Sequence, residues 1–197
     1  MENGVQFRIG HSPITPGTHL CHFGNGRSRL ETAAHSIATG IRAREVCLLI
    51  CDDSLAKTIF IRPGAIGIDV HESVRKGALI HLHGEANGTE LLGSIVMNLE
   101  KRCPAGARIV GCPGWHAKGW PDPPDLLAFE MLLDQVAHKY RALWMCVYDR
   151  SETPRAVLHV HPQILINGEV SANPAYIPPE RFRRELRLGF SSRRFRP

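Results

Sequence analysis

The sequence lacks most of the short patterns that announce a chemistry. There is no CxxC pair, no HExxH, no GxxxxGK[ST] loop and no GxSxG elbow. These absences remove the usual zinc-ribbon, metalloprotease, phosphate-loop hydrolase and serine-hydrolase signatures. No apolar run approaches 18 residues, so no membrane span is expected. The opening Met-Glu-Asn-Gly-Val-Gln has no basic stretch followed by an apolar one, so export is not expected and a cytoplasmic location is. Asn87-Gly88-Thr89 is then an accidental glycosylation match.

Charge is also scarcer than the net +5 suggests. Residues 1–179 carry 17 Lys and Arg against 17 Asp and Glu, while 180–197 carry seven Arg against Glu180 and Glu185. The body is neutral and only the tail is basic. Phe182, Leu186, Leu188, Phe190 and Phe195 interleave with those arginines, so the tail can dock on protein as readily as on nucleic acid.

What is present is an α/β pattern. The chain has 197 residues, 43% of them hydrophobic, enough for one domain that needs neither disulfides nor a structural metal. Short runs rich in Val, Ile and Leu recur at Thr18–Phe23, Val46–Cys51, Ala78–His83, Ala107–Cys112 and Leu143–Tyr148. Continuous apolar strands of this kind belong to a parallel sheet buried on both faces. Between them, apolar stripes of helical period run through Leu30–Ile41, Leu91–Leu99 and Leu126–Tyr140. The expectation is a three-layer sandwich, a mostly parallel central sheet flanked by helices. Pro63, Gly64 and Gly67 break the stretch from Ile59 to Val74 into short helices, and Asn167-Gly168 after Ile164–Ile166 marks a hairpin. The six cysteines sit in or beside apolar runs and read as buried reduced thiols.

Ligands of open α/β sheets bind beyond the carboxyl ends of the strands. Those ends carry His22, Asp52, Asp53, His83, Cys112 with Trp115 and His116, and Asp149. Together with His19 and Glu130 they form the candidate ligand-binding set. Glu130 falls on the apolar stripe of its helix, where a carboxylate must find a partner, either a structural one or a ligand. A metal or haem in the same pocket is an alternative, with His22, His83, Cys112 and His116 as its donors. Further histidines and cysteines at i, i+2 spacing, namely His19, Cys21, His81, His159 and His161, widen the choice. Cys112 beside His116 is a candidate redox thiol. Gly24, Gly26, Arg27 and Ser28 lie between the first strand and first helix, where backbone N–H groups can hold an anion. Without the lysine of a phosphate loop, nucleotide hydrolysis is not assigned, and a tight turn with a helix start is the simpler account.

Several segments are together familiar. They are His19-Leu20-Cys21-His22-Phe23, Ile41-Arg42, Arg108-Ile109-Val110-Gly111, Phe129-Glu130, Cys146-Val147-Tyr148-Asp149, His161-Pro162 and Asn173-Pro174-Ala175-Tyr176-Ile177-Pro178-Pro179. In this the chain resembles the MEDS family, a methanogen/methylotroph sensory domain found with transcription regulators and sensor kinases. The resemblance implies a RecA/KaiC-type core with a degenerate phosphate loop, used to sense small molecules such as hydrocarbon derivatives. It implies a non-catalytic domain that signals to a regulator or kinase-type partner, or through self-association. Where members commonly carry Gly-Glu-Met and an aromatic after the fourth strand, this chain has Gly111-Cys112-Pro113-Gly114-Trp115. A degenerate KaiC-like ATPase and nucleic-acid binding through the tail are the alternatives. The expected organisation is an extension over 1–17, a sensory domain over 18–179 and a basic tail over 180–197.

Overall fold

The computed structural model describes residues 7–10, 12–65, 67–83, 87–102, 106–112 and 123–187. Trp115 and His116, and the tail beyond residue 187, lie outside the described residues.

All five expected strands form, each within one residue at either end. They are β3 (His19–Gly24), β4 (Val46–Ile50), β5 (Leu79–Leu82), β6 (Ala107–Gly111) and β7 (Ala142–Asp149). With β8 (Gln163–Ile166) and β9 (Glu169–Ala172) they make a seven-stranded sheet of order β5-β4-β6-β7-β3-β8-β9. Every pairing from β5 to β8 is parallel, and only β9 runs antiparallel. All eight residues of β7 are buried, which is why its sequence runs apolar from Ala142 to Val147 rather than alternating. The β8–β9 hairpin turns at Asn167 and Gly168, with φ of 52° and 82°. Both residues tolerate the left-handed backbone that a tight two-residue hairpin needs.

Helices cover both faces. On one face α1 (Gly26–Arg42) and α2 (Asp53–Ala65) pack Ala33, Ile37 and Ile59 against Leu20, Leu49 and Met145. On the other, α4 (Gly88–Arg102) and α5 (Pro123–Ala137) pack Leu91, Ile95, Phe129 and Leu133 against Leu48, Ile109 and Trp144. The short α3 (Val70–Arg75) starts on Asp69, whose carboxylate accepts the Glu72 N–H. The expectation of short helices over 59–74 holds for α3, but α2 continues through Pro63 to Ala65. Pro63 falls in the last turn of α2, where little helix remains to be disrupted.

The sequence reading missed a small hairpin, β1 (Phe7–Ile9) with β2 (Ser12–Ile14). Its strands are too short to show a period, yet Phe7, Ile9 and Ile14 join the core beneath α1. At the other end, α6 (Pro179–Arg187) buries Phe182, which is 3% exposed, so the basic segment begins as a helix seated on the domain. None of the helices among the described residues is long and apolar enough to cross a membrane.

Candidate functional site

Because β3 alternates its side chains, it sends His19 and Cys21 to the α5 face and Leu20 and His22 to the α1 face. The expected rim therefore divides into two environments. Glu130 projects from α5 onto the sheet and meets His19, Cys146, Tyr148 and His161, all buried. His19 Nε2 is 3.2 Å from Glu130 Oε2, and Cys146 Sγ is 3.2 Å from the same oxygen. The Tyr148 hydroxyl donates to Oε1. His161 Nε2 stands 3.3 Å from Oε2 but makes no hydrogen bond. The partner that Glu130 required is thus a cluster drawn from β3, β7 and the residue after the 3-10 helix Arg155–Val160.

A second layer orients these rings. His19 Nδ1 donates to Asp134 Oδ1 at 3.3 Å, one helical turn beyond Glu130, and the Tyr176 hydroxyl donates to Asp134 Oδ2 at 2.7 Å. His161 Nδ1 donates to the Val157 carbonyl at 2.7 Å. Burial alone would lower the His19 pKa, but the bonds to Asp134 and Glu130 raise it. Burial and the neighbouring His19 charge lower that of His161. Burial would raise the Glu130 carboxyl, yet the hydrogen bond and charge of His19 hold it far below the ordinary range. A cavity of about 20 Å³ adjoins the cluster, lined by Glu130, Cys146 and Trp144, whose buried indole N–H has no partner.

On the α1 face, His22 opens onto a cavity of about 530 Å³ between α1, the β1–β2 hairpin and the β8–β9 turn. Ile9, Ala34, Met145 and Leu165 give it apolar walls, while Arg8, Ser28, Glu31, Thr32, His35 and Arg108 bring polar groups to its lining. His22 Nδ1 donates to the Leu165 carbonyl at 3.2 Å, which fixes the ring and leaves Nε2 as an acceptor. Thr32 Oγ1 is 3.5 Å from Nε2, but its proton goes to the Ser28 carbonyl at 3.0 Å. Burial lowers the His22 pKa and keeps the ring neutral. Gly24 makes the ring position possible, since a Cβ there would lie 2.5 Å from Nε2.

The other rim residues are engaged structurally. Asp52 accepts the Leu55 N–H at 2.8 Å and starts α2. Asp53 and His83 are exposed and pair at 2.9 Å, beside His81, whose Nε2 donates to the Cys51 carbonyl at 3.0 Å. Cys112 is 1% exposed, and burial pushes its thiol up to about 12, the opposite of a reactive thiolate. Among the described members of the expected metal set, His22, His83 and Cys112 do not gather to ligating distance of one another. They belong to different strands: His22 lies in β3, His83 follows β5 and Cys112 follows β6. Cys21, Cys47, Cys51, Cys112 and Cys146 are free buried thiols.

The loop considered for anions is turned to internal use. Arg27 pairs with Glu31 at 2.9 Å along its own helix, and Ser28 Oγ donates to the Asn25 carbonyl at 3.0 Å. The Asp149 carboxylate pairs with Arg29 at 3.1 Å, and the nearby Gly26 N–H helps to lower its pKa. An internal carboxylate therefore sits where a bound anion would meet the start of α1.

The profile of the MEthanogen/methylotroph, DcmR Sensory domain (MEDS) matches residues 18–162, most of the chain. The chain belongs to the MEDS family. No curated protein matches it. In this MEDS domain the matched region spans β3 to His161 and so contains both His22 and the whole Glu130 cluster. The segment Asn173–Pro179 follows that match and serves it. Asn173 Nδ2 donates to the Leu158 and His161 carbonyls at 2.5 and 2.7 Å, and Tyr176 reaches Asp134. The sequence reading missed Asp134, Tyr148 and Cys146 as cluster members and Tyr176 as the residue that holds Asp134. The available signal was Asp134 at i+4 from Glu130, a second carboxylate one helical turn along the same helix.

Proposed function

We propose that this MEDS domain is a non-catalytic sensor whose ligand is a small, mostly apolar organic molecule carrying one O–H or N–H donor. The observation that carries this reading is the His22 cavity. Its walls are mostly apolar, with Arg8, Glu31, His35 and Arg108 also on the lining, its volume suits a small molecule, and its fixed polar point is a neutral imidazole nitrogen with its lone pair available. A ligand there touches α1, β3, the β8–β9 turn and the β1–β2 hairpin together, so its binding energy favours one arrangement of those elements over others. The output passes to a cytoplasmic regulatory partner or to self-association.

The fold's strand order β5-β4-β6-β7-β3, with α1 following β3 through a glycine loop, supports descent from a RecA/KaiC-like core. The Asp149 carboxylate at the start of α1 opposes a nucleotide phosphate there and supports a role without hydrolysis.

Thermal unfolding with simple alcohols and amines, compared with their parent hydrocarbons, tests the reading. A ligand at 100 times its Kd adds about 2.7 kcal/mol. Donor-bearing molecules should stabilise the wild type, and His22→Phe should abolish their advantage over hydrocarbons. Thr32→Trp, which fills the cavity, should abolish the response altogether. Equal stabilisation of the wild type and both variants would place the ligand elsewhere.

A further inference from the structure

The buried Glu130 cluster has the composition and spacing of a metal centre, although nothing in the resemblance or the His22 reading assigns it one. We propose that His19, Glu130, Cys146 and His161 bind a single divalent transition ion of the zinc class. Their ligating atoms all lie within 4.8 Å of one another, and all four residues are buried. His19 Nε2 lies 3.2 Å from Glu130 Oε2, and His161 Nε2 lies 3.3 Å from that oxygen. Cys146 Sγ lies 3.2 Å from Glu130 Oε2 and 3.6 Å from His19 Nε2. Tetrahedral zinc, with bonds of about 2.0–2.3 Å to nitrogen, oxygen and sulfur, needs edges of roughly 3.3–3.6 Å.

Proton bookkeeping points the same way. His161 Nδ1 carries the hydrogen that the Val157 carbonyl accepts, so a neutral ring aims the lone pair of Nε2 at a carboxylate oxygen. Two electron-rich atoms then face each other in a dry interior, and Nε2 has no hydrogen-bond partner. His19 is held alike, its Nδ1 on Asp134 and its Nε2 turned inward. Outer bonds from Nδ1 to a carboxylate and a backbone carbonyl are how metal-ligating histidines are fixed in tautomer and direction. A cation between the two rings, the carboxylate and the sulfur would turn the His161–Glu130 repulsion into bonds to the metal, and would replace the hydrogen bonds that His19 and Cys146 make to Glu130. On binding, Cys146 coordinates as thiolate and His19 as neutral imidazole, so the Cys146 Sγ proton and the His19 Nε2 proton both leave to solvent. The adjoining cavity of about 20 Å³ is large enough for one water. The ion would clamp α5, β3, β7 and the end of the 3-10 helix from the sheet face opposite the His22 cavity. The site is therefore independent of the ligand reading, and either can fail alone.

The test is cobalt(II) titration of the metal-stripped full chain, with zinc competition. One equivalent should bind with a thiolate-to-cobalt charge-transfer absorption and the intense visible bands of tetrahedral cobalt. Cys146→Ser should lose the sulfur absorption, while His83→Ala, in the surface group with Asp53 and His81, should keep it. Asp134→Asn should weaken zinc by about 10–100-fold. Absence of equimolar binding, or a sulfur absorption that survives Cys146→Ser, overturns the proposal and leaves the cluster a charge network. Should Cys146→Ser fail to fold, X-ray absorption of the zinc-loaded wild type decides. One sulfur and three nitrogen or oxygen neighbours support the site, and any other sulfur count ends it.

Discussion

Asp149, the last residue of β7, pairs with Arg29 of α1 across 3.1 Å, so one carboxylate joins the sheet to the start of the first helix. Ser151 adds bonds from its N–H at 2.9 Å and its hydroxyl at 2.6 Å. Burial alone would raise the Asp149 pKa; the Ser151 bonds, the Arg29 charge and the Gly26 N–H together hold it below the ordinary range. A depressed carboxyl contributes stability above its unfolded pKa and loses it as pH falls through the folded value. Asp149→Asn should therefore cost about 1.5–3 kcal/mol near neutral pH, the range for hydrogen bonds to a charged group. In urea unfolding the gap to wild type should close in acid, below the ordinary carboxylate range. A gap that stays constant down to that range would mean the carboxylate's charge contributes nothing.

The Asn173-Pro174-Ala175-Tyr176 segment earns its recognisability through one amide. Asn173 Nδ2 satisfies the Leu158 and His161 carbonyls, and its Oδ1 accepts the Ala175 N–H at 3.0 Å. Ala at 173 leaves those carbonyls to be satisfied by water or not at all. Loss of a buried polar partner costs about 1–3 kcal/mol, and chemical denaturation of Asn173→Ala should show it. The same variant should also loosen His161, seen as broadening or movement of its imidazole signals in NMR. An unchanged His161 environment would show that Asn173 holds only its own loop.

Strand positions were legible because buried parallel strands are written as uninterrupted Val, Ile and Leu. Val46–Ile50 and Ala142–Asp149 leave little choice of structure. The β1–β2 hairpin was not, since three residues carry no period. Glu130 announced that it needed a partner, but not which one. Its neighbours His161 and Cys146 come from distant segments, and their meeting depends on how β3, β7 and α5 stack. The strand-end rule grouped His19 with His22 at one rim, whereas their i, i+3 spacing on β3 sends them to opposite faces. For Asp52 and Asp149 the rule found polar residues whose work is to start helices.

Thiol chemistry offers a direct check on the cysteines. Cys21, Cys51, Cys112 and Cys146 are buried, and burial pushes each thiol up, so the thiolate needed for reaction is scarce. In a Cys103→Ser background, the native chain should react with an aromatic disulfide reagent far more slowly than the urea-unfolded chain. Fast labelling of Cys112 in the native state would restore it as a redox candidate.

Arg108 shows what the Arg108–Gly111 segment does for the fold. It is fully buried, with Nε 2.7 Å and Nη2 3.1 Å from the two oxygens of Glu45. Its Nη1 donates to the Arg8 carbonyl at 3.1 Å and to Ser36 Oγ at 3.2 Å. One guanidinium thus ties β6 to the turn before β4, to α1 and to the β1–β2 hairpin. Breaking a buried pair leaves an uncompensated charge and costs about 3–5 kcal/mol, so Glu45→Gln should be among the most destabilising single changes. Gly40→Ala attacks the same pair without removing a charge. A Cβ at 40 would stand 2.5 Å from Cys47 Sγ, 2.9 Å from Glu45 Oε2 and 3.0 Å from Arg108 Nε. Overpacking of this kind costs about 1–3 kcal/mol. Because both changes act on one contact, the double variant should lose less than the summed single losses when all three are unfolded in urea. Strict additivity would show that Gly40 faces the pair without supporting it.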